Sequence, residues 1–360
     1  MTDSDFMDRA LLLAARGRGR TSPNPMVGAV VVAADGVVVG QGFHDRAGGA
    51  HAEVLALGMA GERARGATLY CTLEPCSHHG RTGPCAPRIV EAGISRVVAA
   101  TGDPYPLVNG RGFSYLRTAG VTLEVGLGQA AAVRLNQPFF TLIREGRPFV
   151  TLKAATSLED RIAAGPGLRT ALTSAASNRH AHMVRAEVDA VGIGVGTVIV
   201  DDPLLTVRGV YRERPLTRVI FDRHLRTPPG ARVLSTRNAG PVIIVTTPGG
   251  AARAEARGRL EAHGAEIEVA PDGSFRAALE RLGARRLGSL LLEGGARVHG
   301  AAWDEGLVDY VRLYITPHVL GSEGVRLLDG RSWSTDALLE RRVEQFGPDV
   351  MVEGYVHGPR

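Results

Sequence analysis

Apolar runs and segments of helical spacing alternate along the first part of the chain. Two valine-rich runs flank Asp35-Gly36, a dipeptide that favours a tight hairpin turn. Residues Asp8 to Arg16 have helical spacing, and helix-type and strand-type segments then take turns as "HAEVLALGMAGERA", "ATLYCTL", "PCAPRIVEAG" and "ISRVVAAT". This alternation predicts an α/β fold, with helices packed on the faces of a sheet.

The alternation breaks between Thr141 and Pro148 and then starts again. A strand is predicted at "FVTLKAAT", a helix around "SAASNRHAHMVRAE", and a closing hairpin over "RRVEQFGPDVMVEGYVHG". A chain of 360 residues is long enough for two domains with separate cores. We therefore predict one α/β domain over 1–146 and a second over 147–360.

Composition limits the partners that the protein can have. The formal net charge is +5, but Arg and Lys form no block that would mark a nucleic-acid-binding stripe. No apolar run approaches the roughly 18 residues of a membrane helix, and Asp3, Asp5 and Asp8 argue against a secretory signal. Three cysteines are too few for a disulfide framework. We expect a cytoplasmic protein without nucleic-acid or membrane partners, which takes phosphorylated small molecules and forms a homo-oligomer.

One short region contains the residue types of a metal site. His51, Cys76 and Cys85 offer an imidazole and two thiolates, which are ligands that zinc prefers. Three protein ligands leave one tetrahedral position open, as in a catalytic zinc site. Zinc in such a site lowers the pKa of a bound water to about 7, which makes hydroxide available at neutral pH. The alternative is a core histidine near two buried thiols.

A carboxylate stands beside these candidate ligands. Glu53 follows His51 by two residues, and both can approach one centre if His51 precedes the first helical residue. Together with the Pro-Cys pair at Cys76, the segment matches the zinc-deaminase signature, in which the glutamate moves protons. Cys71 lies in an apolar strand, so we expect a packed core thiol. His44 is expected to be a hydrogen-bonded loop histidine.

The two cysteines of the candidate site are separated by "SHHGRTGP", eight residues where the general signature has two. His78, His79 and Arg81 in this insert could reach a phosphate or a ring substituent, although a solvated polar loop is the simpler interpretation. Asn24 lies between two prolines, which would hold its amide in a rigid turn near the substrate.

A second candidate site follows a strand of the second domain. The strand "SLLLEGG" ends at Glu293, and Gly294 and Gly295 then lead into a helix, where backbone N–H groups can face a pyrophosphate. A tight turn without a ligand is the alternative. The segment at Gly194 and Gly196 is predicted to be a strand that enters a glycine-rich turn, and it lacks the dinucleotide fingerprint.

Three basic residues of the second domain are candidates for substrate contacts. Lys153 is a lone charge in an apolar strand, and a buried lysine needs a partner. Arg185 and Arg208 could hold a phosphate through paired hydrogen bonds, although either could simply be a surface arginine.

The motifs "PNPMVGAVV", "GFHDRAGGAHAEVLAL", "ATLYCTLEPCSHHGRTGPC" and "DPYPLVNGRG" resemble the deaminase half of the bifunctional riboflavin-biosynthesis deaminase/reductases. In that family the eight-residue gap is the expected one. The resemblance implies a cytidine-deaminase-like α/β/α fold, zinc on His51, Cys76 and Cys85, and Glu53 as the proton shuttle. Asn24 and His78 would face a phosphorylated pyrimidine. Tyr105 stands where the family usually has Asn.

The motifs "KAATSLEDRIA", "LTSAASNRHAHMVRAEVDAVGIGVGTVIVDDPLLTVR" and "LLLEGGARVHG" resemble the reductase half, which is similar to dihydrofolate reductase in fold and implies NADPH. The cofactor contacts implied by the resemblance are Ala155, Ala171, Thr197, Asp201 and Gly295. The substrate contacts implied are Lys153, Arg169, Arg185, Leu205, Arg208 and Glu293. Asp160 replaces the family's Gly, and Ala171 replaces an aromatic residue.

Two other functions remain open from the residues. A zinc deaminase of another base, with a second domain that reduces nothing, would explain the altered "SLED" segment. A zinc-stabilised nucleic-acid-binding module would show steeply salt-dependent binding and no need for Glu53.

Overall fold

A computed structural model of the protein describes residues 1–78, 83–331 and 333–358. His79 and Arg81 of the predicted substrate loop lie outside the described residues. The chain divides into two units, Met1–Glu145 and Gly146–Arg360. Each unit is an α/β structure, as the alternation of apolar runs predicts.

The first unit is built on a five-stranded sheet. Its strands are β1 (Gly28–Val32), β2 (Val38–Phe43), β3 (Thr68–Cys71), β4 (Arg96–Ala99) and β5 (Thr122–Val125). They lie in the order β2-β1-β3-β4-β5; β1 pairs antiparallel with β2 and β3, and β3, β4 and β5 are parallel. The hairpin predicted around Asp35-Gly36 is therefore confirmed.

Helices cover both faces of this sheet. They are α1 (Asp3–Ala15), α2 (Ala52–Ala60), α3 (Cys85–Glu91), α4 (Arg111–Thr118), α5 (Gln129–Leu135) and α6 (Gln137–Glu145). Alternate residues of β1 face opposite sides, so Val31 packs with the cluster of α2, α3 and α4, and Val30 packs with that of α1. This gives the α/β/α arrangement. The sequence interpretation missed α5 and α6 and began α1 five residues late.

Close backbone packing fixes the position of α2. A Cβ atom on Gly40 of β2 would lie 2.0 Å from the carbonyl oxygen of Ala56, and one on Gly42 would lie 2.6 Å from that of Ala52. Only glycine allows this approach of strand to helix. Because α2 begins next to His51, the contact also sets the position of the candidate metal site.

The second unit contains a nine-stranded sheet in the order β11-β10-β9-β8-β12-β6-β13-β16-β15. Its strands are β6 (Phe149–Thr156), β8 (Ala190–Gly194), β9 (Thr217–Phe221), β10 (Val242–Thr246), β11 (Ala265–Val269), β12 (Ser289–Gly294), β13 (Tyr310–Ile315), β15 (Leu339–Phe346) and β16 (Asp349–Tyr355). β7 (Arg161–Ala163) and β14 (Val325–Arg326) form a separate pair. The strands from β11 to β13 are parallel, and β15 and β16 form the predicted closing hairpin.

The helices of the second unit are α7 (Ala175–Glu187), α8 (Val195–Asp201), α9 (Arg232–Ser235), α10 (Pro248–Ala251), α11 (Ala254–Ala262), α12 (Phe275–Ala284) and α13 (Ala296–Asp304). Alternate residues of the parallel strands again serve two cores, with Ile243 and Leu292 in one and Ile244 and Ile193 in the other. The glycine-rich turn predicted after Gly194 is corrected: Gly196 lies inside α8, which starts as soon as β8 ends. None of the described helices is long and apolar enough to cross a membrane.

Candidate functional sites in the two units

The three candidate metal ligands meet in the first unit. The ligand atoms of His51, Cys76 and Cys85 all lie within 4.8 Å of one another. His51 Nδ1 is 3.2 Å from Cys85 Sγ and 3.5 Å from Cys76 Sγ. A tetrahedral zinc with bonds of about 2.0 Å to nitrogen and 2.3 Å to sulfur holds such atoms about 3.5 Å apart. The donor set and its spacing therefore fit zinc.

Local structure brings Glu53 to the same point. His51 is the N-cap residue of α2, with extended backbone (φ −71°, ψ 154°), so its side chain leaves the helix path while Glu53 is already helical. The Glu53 side chain is 3% exposed. Burial raises its pKa to about 7, although the charge of His51 acts in the opposite direction. A carboxyl group with this pKa can both accept and donate a proton near neutral pH.

A second histidine, His44, holds the side-chain amide of Asn24, which is a candidate substrate contact. His44 Nδ1 lies 3.0 Å from the carbonyl oxygen of Ala50, and its Nε2 lies 3.2 Å from Asn24 Nδ2. With the proton on Nδ1, His44 donates to Ala50 and accepts from the Asn24 amide. His44 is thus the hydrogen-bonded histidine that the sequence indicates. Among the described residues, the side-chain oxygen of Asn24 receives no hydrogen bond, so it can accept one from a ligand.

The remaining predictions for this unit concern Cys71 and the insert loop. Cys71 is fully buried in the core, where burial raises the pKa of its thiol, and it is the inert thiol that was expected. The His78 ring lies 6.0 Å from the Tyr105 ring, and His78 Nδ1 is buried without a hydrogen-bond partner among the described residues.

In the second unit, one cleft of about 1260 Å³ lies at the carboxyl ends of the parallel strands. It exceeds the roughly 300–1,000 Å³ of a site for one drug-sized ligand, so there is space for two molecules. The cleft is lined by all eleven candidates of this unit: Lys153, Ala155, Arg169, Ala171, Arg185, Thr197, Asp201, Leu205, Arg208, Glu293 and Gly295.

A charged cluster lies at one end of this cleft. Arg185 pairs with Glu293 through two hydrogen bonds, Nε to Oε1 at 2.6 Å and Nη2 to Oε2 at 2.5 Å. Burial opposes the charge of Glu293, but Arg185 and Lys153 outweigh it and lower the Glu293 pKa to about 2. The charge of Glu293 also favours the charged form of Lys153, whose Nζ lies 5.6 Å from the centre of the Tyr314 ring. Because Glu293 already engages Arg185, the role of Arg185 as a phosphate ligand stays a prediction.

The glycine turn after Glu293 has the expected geometry. Gly295 has a φ of +88° and precedes α13, so its conformation favours glycine. A Cβ atom at Gly295 would lie 3.4 Å from Thr197 Oγ1 of the neighbouring helix α8. A ligand can therefore come close to the backbone N–H groups at the N-terminus of α13. A dinucleotide pyrophosphate fits such a position.

Comparison with known proteins agrees with both sites. Residues 1–101 match the family model of the cytidine and deoxycytidylate deaminase zinc-binding region, and residues 148–352 match the RibD C-terminal domain. The riboflavin biosynthesis protein RibD of Aquifex aeolicus is 42% identical over 353 residues, 97% of each chain. The chain belongs to the RibD family.

Solved structures of RibD proteins have the same fold over the whole chain. RibD of Acinetobacter baumannii matches with a TM-score of 0.86 at 35% identity, covering 98% of each chain. The Thermotoga maritima protein described as a diaminohydroxyphosphoribosylaminopyrimidine deaminase/5-amino-6-(5-phosphoribosylamino)uracil reductase matches with a TM-score of 0.84 at 35% identity, covering 97% of each. The predictions of two activities, zinc and NADPH are confirmed at the level of the RibD family. The alternative of a second unit that reduces nothing is not supported.

One departure from the family pattern has a visible structural consequence. Asp160 replaces the family's glycine, and its φ of +61° lies in the left-handed region. Trp333 Nε1 lies 3.4 Å from both carboxylate oxygens of Asp160, which gives the strained residue a partner. Leu205 also has a positive φ, +53°, and is buried in the cleft wall. Strain of this kind clusters at ligand-binding sites.

The sequence interpretation missed Glu74 of this RibD-type site. Its carboxylate accepts hydrogen bonds from four backbone N–H groups, those of Asp103, Gly110, Gly112 and Phe113, at 2.9–3.3 Å. Glu74 is 4% exposed and caps the N-terminus of α4. It thereby holds the segment that contains Asp103 and Tyr105 close to Cys76. A glutamate in the apolar segment before Pro75 was the available signal.

Proposed function

We propose that this chain deaminates diaminohydroxyphosphoribosylaminopyrimidine in its first unit and reduces the resulting 5-amino-6-(5-phosphoribosylamino)uracil in its second. The Thermotoga maritima relative is named for these two reactions. The observation that carries the proposal is the meeting of His51, Cys76 and Cys85 beside the buried Glu53. The cleft that gathers all candidates of the second unit supports the reductase half.

In the first unit, His51, Cys76 and Cys85 would hold zinc, which supplies the Lewis acidity that ionises water near neutral pH. Glu53 takes a proton from the attacking water and delivers it to the departing amino group, which leaves as ammonia. The Asn24 carbonyl oxygen, oriented by His44, accepts a hydrogen bond from the pyrimidine. His78 and Tyr105, whose rings lie 6.0 Å apart, would face the ribose phosphate.

The variant Glu53→Gln tests the deaminase assignment. It keeps the size of the side chain but cannot move protons, so ammonia release should fall by about 10²–10⁴-fold. Zinc content, measured by mass spectrometry, should stay at the wild-type value. Glu62→Gln, at an exposed position of the same unit, is the matched control and should keep full activity. Undiminished deamination by a zinc-loaded Glu53→Gln protein would overturn the proton-shuttle role.

In the second unit, NADPH supplies the hydride that converts the ribosyl group, in its ring-opened imine form, to ribityl. Lys153 and Glu293 lie at the end of the cleft and would bind the polar groups of the sugar. Arg169 and Arg208 are exposed on the cleft wall and would hold the substrate phosphate. Ala155, Ala171, Thr197, Asp201 and Gly295 would contact NADPH, and Leu205 would contact the substrate.

Oxidation of NADPH tests the reductase assignment. The purified protein, given 5-amino-6-(5-phosphoribosylamino)uracil, should consume NADPH. The consumption is measured as a loss of the near-ultraviolet absorbance of NADPH. The substrate before deamination, offered to the Glu53→Gln protein, should support little consumption. If the deaminated substrate leaves NADPH unchanged, the second unit does not perform this reduction.

We also propose a cytoplasmic homo-oligomer. The outer strand β15 exposes Leu339 and Val343, and an exposed edge strand can pair with a second copy. The three cysteines are free thiols, as in proteins of a reducing compartment. Light scattering on the purified protein gives the mass of the assembly, and a monomer would contradict the proposal.

A further inference from the structure

The basic residue at position 153 differs from the basic residues in the rest of the chain. Of 42 lysine and arginine residues, Lys153 is the one lysine. Both residue types are positively charged in water, but a lysine gives up its proton far more readily than an arginine when it is desolvated. The cleft of the second unit therefore contains the one basic side chain of this kind whose charge its neighbours can adjust.

The groups around Lys153 act on its charge in opposite directions. Burial lowers the pKa of Lys153, the negative charge of Glu293 on β12 raises it, and the positive charge of Arg185 on α7 lowers it. A further contact that favours the charged form would therefore matter here. The other titratable groups around Lys153 are His182 of α7, His299 of α13 and Arg312 of β13, its partner in the strand register.

An aromatic ring supplies such a contact. Lys153 Nζ lies over the ring of Tyr314, 5.6 Å from its centroid. Tyr314 pairs with Ala155 in the register of β13 and β6, so its side chain leaves the same face of the sheet as that of Lys153. The face of an aromatic ring attracts a cation, and more strongly where water is excluded. Tyr314 is fully buried, so its ring favours the charged form of Lys153.

The Tyr314 ring is itself held from the side of its hydroxyl group. That hydroxyl lies 2.8 Å from His180 Nδ1. Burial lowers the pKa of His180, and with the proton of the neutral ring on Nε2 its Nδ1 accepts from Tyr314. The His180 ring in turn stacks on Phe346, with centroids 4.4 Å apart and planes at 13°. Phe346 is the last residue of β15, so the closing hairpin supports the ring that faces Lys153.

The same hairpin also holds α7, the helix that carries His180. The carboxylate of Asp349, the first residue of β16, accepts from the backbone N–H of Ser174 at 2.8 Å and from the Ser177 hydroxyl at 2.5 Å. Ser174 is the N-cap residue of α7. The hairpin therefore fixes both Phe346 and the helix that carries its stacking partner.

We propose that Tyr314 is a positioning residue of the reductase, whose ring keeps the Lys153 ammonium group charged and in place in the cleft. His180 and Phe346 keep the ring in that position. The charged form matters because an ammonium group has three hydrogen-bond donors for the polar groups of a sugar. The inference rests on the proposed reductase function and adds to it a residue that acts through Lys153.

The titration of Lys153 can be measured directly, because a chain grown with carbon-13-labelled lysine contains one labelled side chain. Nuclear magnetic resonance of that signal against pH, on the full chain without ligands, gives its pKa. Tyr314→Leu removes the ring, so the acid-dissociation constant of Lys153 should rise about 2–30-fold, the range of a cation–π contact. Tyr314→Phe keeps the ring and should change it less than about twofold. His180→Leu should raise it by less than Tyr314→Leu does.

Tyr310→Leu is the matched control. It removes a ring from the same face of β13, but that ring lies 5.9 Å from the guanidinium carbon of Arg312. The variant should lower the free energy of unfolding, as Tyr314→Leu does, without moving the Lys153 titration. In the reductase assay, kcat should fall about 3–10-fold in Tyr314→Leu and stay within about threefold of the wild type in Tyr314→Phe.

The outcomes separate this inference from the proposed function. If Tyr314→Leu lowers only the free energy of unfolding and leaves the Lys153 titration and kcat at their wild-type values, the ring is core packing and the inference is wrong. An unchanged titration in His180→Leu would remove His180 from the assignment. A wild-type protein that oxidises no NADPH overturns the reductase, whereas the titration still decides whether the ring holds the charge of Lys153.

Discussion

The two units each bury a glutamate at the centre of their site, but the surroundings give the two carboxyl groups opposite properties. Glu53 lies beside His51, Cys76 and Cys85, and burial raises its pKa to about 7. The Glu293 side chain is also largely buried, at 6% exposure, yet Arg185 and Lys153 lower its pKa to about 2. One group is set to exchange protons near neutral pH, and the other stays ionised.

This difference follows from what each reaction requires of the protein. Deamination moves protons between water and a leaving group, so a carboxyl group with a pKa near 7 is useful. Reduction receives its hydride from NADPH, and the protein has to bind two anionic molecules in one cleft. The ion pair with Glu293 keeps Arg185 in place in that cleft. The site of the first unit is compact along the sequence, whereas that of the second is assembled from many strand ends.

The largest effect is expected from Glu293→Gln. The variant keeps the shape of the side chain but leaves the Arg185 charge without its partner, and breaking a buried pair costs about 3–5 kcal/mol. Reductase activity should be lost, and the free energy of unfolding of the second unit should fall by that amount in urea titration. Glu280→Gln, exposed on α12, is the control. Wild-type stability in Glu293→Gln would mean that the pair does not organise the cleft.

A smaller effect in the first unit is expected from Glu74→Gln. Each carboxylate oxygen of Glu74 accepts two backbone N–H groups, and glutamine replaces one oxygen by a donor. Two buried N–H groups then lack an acceptor, which costs about 2–4 kcal/mol. Thermal unfolding should show this loss, and deamination should weaken through a displaced Tyr105 segment.

The exposed Glu91→Gln variant, in the same unit, serves as the control for Glu74→Gln. If Glu74→Gln unfolds at the wild-type temperature, the four hydrogen bonds do not hold the segment in solution.

The sequence predicted the parts of the fold that local patterning determines. The hairpin at Asp35-Gly36, the alternation of strands and helices and the position of His51 before α2 depend on neighbouring residues only. The helices α5 and α6 were missed because the alternation was ended at Thr141, and α6 runs through that residue. The partner of Arg185 could not be read from the sequence either, since Glu293 is 108 residues away and the strand order alone brings them together.

Residues that position other residues were also missed when their partners are distant in the sequence. Glu74 was visible as a glutamate beside Cys76, but its four backbone partners lie up to 39 residues further on. The metal ligands were predictable because zinc prefers these residue types and their spacing along the chain matches a known signature.

The pH dependence of the two activities should differ in a way that follows from the two glutamates. Glu53 must be ionised to take a proton, and a bound cation lowers a carboxyl pKa, so deamination should fall below a midpoint between pH 4.5 and 7. The decline should be about tenfold per pH unit. Glu293 remains ionised down to about pH 2. Its contribution to stability is present above pH 4.5 and is lost only as the pH falls towards 2.

Steady-state kinetics between pH 5 and 8 compare the pH profiles of the deaminase and the reductase. The two activities can be measured separately because each has its own substrate. A deaminase profile without an acidic limb would contradict the role of Glu53. A stability profile that stays flat between pH 4.5 and 2, and is the same in the wild type and in Glu293→Gln, would contradict the low pKa of Glu293.

The smallest predicted effect concerns His44, which positions Asn24 rather than touching the reacting atoms. Burial lowers the pKa of His44, so the ring stays neutral and accepts from the Asn24 amide. His44→Ala removes the hydrogen bonds to Ala50 and Asn24, and the freed Asn24 amide can rotate. Because the bond orients a substrate contact, KM of the deaminase should rise about 3–10-fold while kcat changes less. His44→Gln keeps an acceptor and should restore KM, whereas a purely structural role would lower the stability of both variants alike. An effect on kcat alone would instead place His44 in the chemical step.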